Sequence, residues 1–187
     1  MKRDGFRASL LVALALSLCA CETIMSRATL TDARSNPSSA LVTLLRPAGY
    51  FGEGSTVGMW DGRYFVGFLH SGELLQFRAA PGQHLLLADA EENWSYARAD
   101  LRAGKEYFVR LNMFPGILAN RVALATVPKT DERIPGWLAR LQPVAANHND
   151  TTRSYTVGRV PNVDAAIAKF KSGAVTSFAD VKPDDGR

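Results

Sequence analysis

Between residues 40 and 127 the sequence breaks into eight short apolar runs, bounded by Gly, Pro and Asp and recurring about every ten residues. They fall at 40–46, 56–60, 63–69, 73–79, 83–90, 94–101, 106–112 and 121–127. Runs of this length, with turn residues between them, are too short for helices and suit strands that bury one or both faces. The expected fold is therefore mainly β, an antiparallel β-sandwich of about 7–8 strands, with one or two short helices after it.

The strongest local signal is Asp61-Gly62 between two apolar runs. Asp-Gly tolerates the positive φ angles of a type I′ turn, so a two-residue hairpin is expected with Trp60 opposite Arg63, Met59 opposite Tyr64 and Val57 opposite Val66. That register gives a core face of Val57, Met59, Tyr64, Val66 and Phe68. The opposite face carries Trp60, Arg63, Phe65, Gly58 and Gly67. Later runs alternate: Leu75, Phe77 and Ala79 against Gln76 and Arg78; Tyr107, Val109 and Leu111 against Glu106 and Arg110. Ala97, Ala99 and Leu101 likewise oppose Trp94, Tyr96, Arg98 and Asp100. Leu85-Leu86-Leu87 does not alternate, which points to a central strand covered on both sides.

After residue 127 the composition shifts. Residues 134–141 suit a short helix with Pro135 in its first turn. Residues 147–153 read as polar loop and 154–160 as an edge strand. Residues 162–172 read as a helix capped by Asn162 and closed by Gly173, with Val163, Ile167 and Phe170 on one stripe and Lys169 and Lys171 in the last turn. The tail from Asp180 reads as frayed. Residues 128–187 form a C-terminal extension that packs its stripe on the sandwich.

The other end of the chain carries an address. Lys2, Arg3 and Arg7 precede an apolar run of Ala, Leu and Val from Ala8 to Leu18. That run suits a signal-peptide core of roughly 7–15 residues and is short of the roughly 20 that span a bilayer. It ends in Leu18-Cys19-Ala20-Cys21, which resembles the lipobox of bacterial lipoproteins. The resemblance implies cleavage after Ala20 and acylation of Cys21; Cys19 is excluded because bulky Leu18 precedes it. Glu22 in place of Asp after the cysteine, by resemblance to enterobacterial sorting, implies the outer membrane, inner leaflet, facing the periplasm. Residues 1–20 are then a signal peptide, and 21–39, rich in Ser, Thr, Arg, Ala and Asn, a lipidated flexible tether about 25 Å long on average. The last few tether residues read equally as the ragged edge of the domain.

Removing residues 1–20 takes away three cations and Asp4, so the formal net charge falls from +4 to +2. The basic balance is then poor support for nucleic-acid binding, and none is expected. Both cysteines are also consumed, Cys19 with the signal and Cys21 with lipid. No disulfide, thiolate metal site or cysteine nucleophile remains.

Two phrases, Ala80-Pro81-Gly82-Gln83-His84-Leu85 and Arg102-Ala103-Gly104-Lys105-Glu106-Tyr107-Phe108-Val109, join Leu44-Leu45-Arg46-Pro47 and the strands around Asp61-Gly62. Together these look like the family of bacterial lipoproteins built on domain of unknown function 2846, and their rhythm is similar to the PEGA-type β-sandwich. The likeness covers residues 40–127 and implies a small β-sandwich in the cell envelope. It brings no catalytic residues.

Few residues carry recognisable chemistry. His70, His84 and His148 lack any HxxxH or HxH spacing, and no G-x-S-x-G elbow accompanies His70 and Ser71. The run Gly52-Glu53-Gly54-Ser55-Thr56-Val57-Gly58 lacks the lysine and the following helix of a phosphate loop. Glu91-Glu92 and Asp131-Glu132 read as solvated charge, and Asp184-Asp185-Gly186 lacks the other ligands of a calcium loop. No metal or cofactor is implied. The remaining candidates are aromatic: Trp94, Tyr96 and Trp60 can form an exposed platform for a sugar ring or a partner, or pack beneath the C-terminal helices. The sequence thus reads as a non-enzymatic, lipid-anchored envelope protein with a structural or protein-interaction role. Carbohydrate or peptidoglycan binding through Trp60, Trp94 and Tyr96 is the alternative. The expected partners are the membrane, through the N-terminal lipid, and an envelope protein or cell-wall glycan.

Overall fold

The computed structural model describes residues 22–187, so Cys21 and the signal segment lie outside the described residues. All eight apolar runs become strands: β2 (Ala40–Arg46), β3 (Val57–Asp61), β4 (Tyr64–Leu69), β5 (Glu73–Ala79), β6 (Gly82–Asp89), β7 (Trp94–Leu101), β8 (Glu106–Pro115) and β9 (Asn120–Val127). Three short strands join them: β1 (Met25–Arg27), β10 (Gln142–Ala146) and β11 (Ala179–Val181). The protein is mainly β, with 11 strands in two sheets among the described residues. One sheet has the order β1-β10-β5-β2-β8-β9 and the other β11-β7-β6-β3-β4.

The sheets are mixed rather than purely antiparallel. β2 runs parallel to β8, β10 to β5 and β11 to β7. The central parallel pair is possible because β2 is covered on both faces: Ala40, Val42 and Leu44 enter the core between the sheets, while Leu45 packs outward against α1 (Ile134–Arg140). α1 covers one sheet through Ile134 and Trp137. α2 (Asp150–Lys171) covers the other through Val163 and Ala166. The order of layers is helix, sheet, sheet, helix. Leu86 faces the inter-sheet core and Leu87 faces α2, which explains the apolar run without alternation.

The strand count also exceeds the expected 7–8, and three further sequence expectations change. First, the hairpin pairs Asp61 with Tyr64 and Trp60 with Phe65, so the turn moves by one residue and each partner by two from the expected register. Its turn is Gly62-Arg63, with φ 55° at Gly62 and no positive φ at Arg63, the pattern of a II′ rather than a I′ turn. A bulge follows, in which Met59 pairs with Gly67 and Val66 is the extra residue. The bulge breaks the alternation, so Val66 and Leu69 enter the core while Phe65 and Phe68 face α2 and Tyr64 turns outward. Gly67 sits at φ 147°, and a Cβ there would lie 2.5 Å from Leu75 Cδ1, so only glycine lets the sheets approach this closely.

Second, the expected edge strand and the expected C-terminal helix are one helix of 22 residues with Pro161 inside it. Asn149, not Asn162, is the cap: its Oδ1 accepts from the Thr152 N–H at 2.8 Å. Tertiary contacts on the first half outweigh the local cost of proline. Tyr155 wedges between Phe65 and Phe68 at ring separations of 5.0 and 4.9 Å, and Arg159 holds Asp89 at 2.7 and 2.8 Å.

Third, neither end of the described residues is loose. β1 pairs antiparallel with β10, and Arg78 donates to the carbonyls of Asp32 and Ala33 at 2.6 and 3.1 Å, so residues 22–39 are part of the domain rather than a flexible tether. At the other terminus the Arg187 guanidinium binds Glu106 at 2.8 Å, and the two residues also exchange backbone hydrogen bonds. Even the outer edge of β9 is closed. Asn93 bonds both the N–H and the C=O of Val122 at 2.8 Å, and Ser95 Oγ accepts from the Leu124 N–H at 2.9 Å.

Candidate functional site

The aromatic residues singled out from sequence do not form a common platform. Trp60 is 1% exposed and Tyr96 4%, both beneath α2. Trp60 meets Phe65 at 5.0 Å and Tyr155 at 6.3 Å; Tyr96 stacks on Phe170 at 5.5 Å. Trp94 is half-buried, with the Arg159 guanidinium 5.8 Å above its ring. It lines, with Tyr96, Arg121, Asn162 and Lys169, a groove of about 600 Å³ between α2 and the β8–β9 hairpin. The structure thus brings Trp94 and Tyr96 together and leaves Trp60 out.

His84 and His70 are spent on local structure. His84 Nδ1 is 2.7 Å from Asp61 Oδ2 and its Nε2 is 2.8 Å from the Ala80 carbonyl. Burial pushes the Asp61 carboxyl up, against the opposing pull of His84. Asp89 is raised in the same way, by burial, with the Arg159 hydrogen bond and charge opposing. His70 Nε2 lies 2.9 Å from Thr56 Oγ1, and its Nδ1 lies 3.3 Å from Glu73 Oε2. This hydroxyl–imidazole–carboxylate chain is on an exposed turn, where a reacting group would stay in water, and none of the three lines the clefts described here. Among the described residues no group of three or more His, Cys, Asp and Glu is placed to hold a metal ion.

One end of the sandwich has a different character. There β2 passes into the loop 47–56, and β8 turns into β9. Arg46, the last residue of β2, is 1% exposed and spends its guanidinium on main chain. It donates to the carbonyls of Ser55 at 2.8 Å, Leu69 at 2.5 Å and Gly52 at 2.5 Å. Burial lowers its pKa from the ordinary arginine value, with Glu73 across the strand pair acting in the opposite sense. These three bonds set the loop path.

The neighbouring hairpin is held just as firmly. The Glu92 carboxylate accepts from the Ile117 N–H at 3.1 and 3.0 Å and from the Ala119 N–H at 3.4 Å. The two loops are also tied to each other, through Asn120 Nδ2 donating to Ser55 Oγ at 2.8 Å. Where a Cβ would stand on Gly52, the Met113 side chain is 3.0 Å away.

What these braced loops present is apolar. Tyr50 is 94% exposed, Ile117 90% and Leu118 93%, with Phe51 and Phe114 beside them. Of the nine large hydrophobic side chains exposed among the described residues, these are five, so the apolar surface is concentrated here rather than scattered. Behind Tyr50 and Phe51 lies a cleft of about 350 Å³ floored by Trp137 and flanked by Arg110 and Arg133. Arg133 stacks 4.8 Å from the Trp137 ring and pairs with Asp131 at 2.6 Å. That hydrogen-bonded pairing lowers the Asp131 carboxyl to about 2.

Sequence reasoning missed this end. Its signals were present: Arg46 at the close of an apolar strand, and Gly116-Ile117-Leu118-Ala119, aliphatic residues where a turn is normally polar.

No family model matches the chain, and neither a curated protein nor a solved structure does.

Proposed function

We propose that the chain is a lipid-anchored cell-envelope protein, held by acylated Cys21, whose domain is a non-catalytic structural or protein-interaction module facing the periplasm. The anchor reading rests on the basic, apolar and small-residue pattern ending at Cys21, and Glu22 favours the inner leaflet of the outer membrane. No helix among the described residues is long and apolar enough to cross a membrane. The likeness to lipoproteins of domain of unknown function 2846 belongs to the same proposal. The interaction role is carried by one observation: the exposed Tyr50, Ile117 and Leu118 sit on loops pinned by Arg46 and Glu92. A surface stabilised in so costly an exposure is built for contact.

Replacing Cys21 by Ser tests the anchor. The variant should lose acyl labelling and leave the membrane fraction, and continued labelling would refute the assignment.

A second reading, binding of a cell-wall glycan, keeps support from the groove that Trp94 shares with Asn162 and Lys169. It now excludes Trp60. Trp94→Ala should abolish co-sedimentation with peptidoglycan if that groove is used; unchanged co-sedimentation would remove the reading.

A further inference from the structure

We propose that the two braced loops insert Tyr50, Phe51, Ile117 and Leu118 into the interfacial layer of an anionic lipid bilayer. This is a non-covalent membrane contact separate from any acyl chain on Cys21. The shape favours lipid over a protein pocket or a second copy. The apolar side chains stand on two different loops, with Tyr50, Ile117 and Leu118 almost fully exposed, and they grade from aromatic on one to aliphatic on the other. Aromatic rings with a polar edge settle at head-group level, and aliphatic chains go deeper.

The collar is cationic. Arg121 follows the hairpin tip and is exposed, and Arg110 and Arg133 flank the cleft behind Tyr50. Among the described residues, Arg110 and Arg121 form no ion pair; Arg110 spends its Nε on Asn112 Oδ1 at 2.6 Å and keeps its terminal nitrogens for phosphate, as Arg121 does. Glu53 on the 47–56 loop and Asp131, paired with Arg133 at 2.6 Å, subtract from this charge. The Glu92 carboxylate is turned inward, onto the N–H groups of Ile117 and Ala119.

Position gives the contact a purpose. The chain enters the fold at β1, one edge of its sheet, and the hairpin is the opposite edge. Across the sheet five strand spacings of roughly 4.8 Å, about 24 Å, separate them, and along the strands they lie at opposite ends: β1 starts toward the Ala40 end of β2, and the hairpin tip lies beyond its Arg46 end. An anchor just before β1 and a contact at the hairpin tip meet one bilayer only with the sheet lying along its surface, which fixes which face meets the periplasm.

The test uses the chain starting at residue 22, which holds every described element and has no acylation site, so its result is independent of the Cys21 assignment. It is floated with vesicles of equal parts phosphatidylcholine and phosphatidylglycerol. The unsubstituted chain should float. The Ile117→Asp, Leu118→Asp double variant should lose partitioning by about tenfold or more. Tyr50→Ser, on the other loop, should weaken it by about threefold. Val157→Asp, an exposed site on α2, should change nothing, because it touches neither loop. The unsubstituted chain failing to float, or the tip variants floating as well as it does, overturns the proposal. So does equal loss with Val157→Asp, and so does a dimer that needs Ile117 and Leu118 in place of vesicle binding, which would assign the tips to a second copy.

Discussion

Asn120 donates from Nδ2 to Ser55 Oγ at 2.8 Å, and this bond joins the two loops that carry the exposed apolar side chains. Neither loop holds its shape alone. The hairpin depends on Glu92 from the turn before β7, and the 47–56 loop depends on Arg46 at the end of β2. The surface is therefore a product of the sandwich beneath it.

Removing Glu92 should loosen the hairpin without unfolding the protein. In Glu92→Ala the N–H groups of Ile117 and Ala119 lose their acceptor, and their hydrogen exchange should rise sharply. Global stability in urea should fall by only about 1 kcal/mol, since the bonds lie near the surface. Unchanged exchange at Ile117 would show that the carboxylate does not hold the tip.

Arg46 is a larger matter. Arg46→Met removes a buried guanidinium and leaves the carbonyls of Gly52, Ser55 and Leu69 without their donor. A loss of about 3–5 kcal/mol is expected from urea unfolding. A loss below about 1 kcal/mol would mean that the loop is held otherwise.

Much of this fold is legible in the sequence because it follows from local patterning. Residues 40–46, 73–79 and 94–101 are strands at the bounds their apolar runs indicate, and Leu85-Leu86-Leu87 is covered on both sides as its lack of alternation implies. What escaped depends on distant partners. Residues 154–160 look like a strand until Asp89 and the aromatic pocket that receives Tyr155 are known. Residues 22–39 look like a tether until Arg78 and β10 bind them. The hairpin register turned on a bulge at Val66 that no residue type announces. Parallel pairing of β2 with β8 likewise leaves no mark on either strand. At the site, sequence left Trp60 and Tyr96 either on an exposed platform or packed beneath the C-terminal helices, and the second is what α2 does to both.

The buried indole supplies a sharper test of that roof. Trp60 Nε1 is buried without a hydrogen-bond partner, so its polar atom contributes no bond that phenylalanine would lose. Trp60→Phe should cost less than about 1.5 kcal/mol in chemical denaturation, while Trp60→Ala should cost about 3–5. Equal costs would place the ring outside a packed core.

The pair Asp131–Arg133 predicts a pH effect of definite sign. The folded carboxyl titrates near 2, below its ordinary value of 3.8, so the folded state releases the proton first. Its contribution is therefore complete above pH 3.8 and fades as the pH falls toward about 2. Side-chain NMR should show the low titration in the unsubstituted protein and a return toward 3.8 in Arg133→Gln. An unchanged midpoint in that variant would show that the guanidinium is not the cause.

The central claim, anchorage through Cys21, is tested most directly by mass spectrometry of the mature protein isolated from envelopes. The N-terminal peptide should begin at Cys21 and carry acyl chains. A peptide that retains residues 1–20, or an unmodified Cys21 at the N-terminus, would contradict the account.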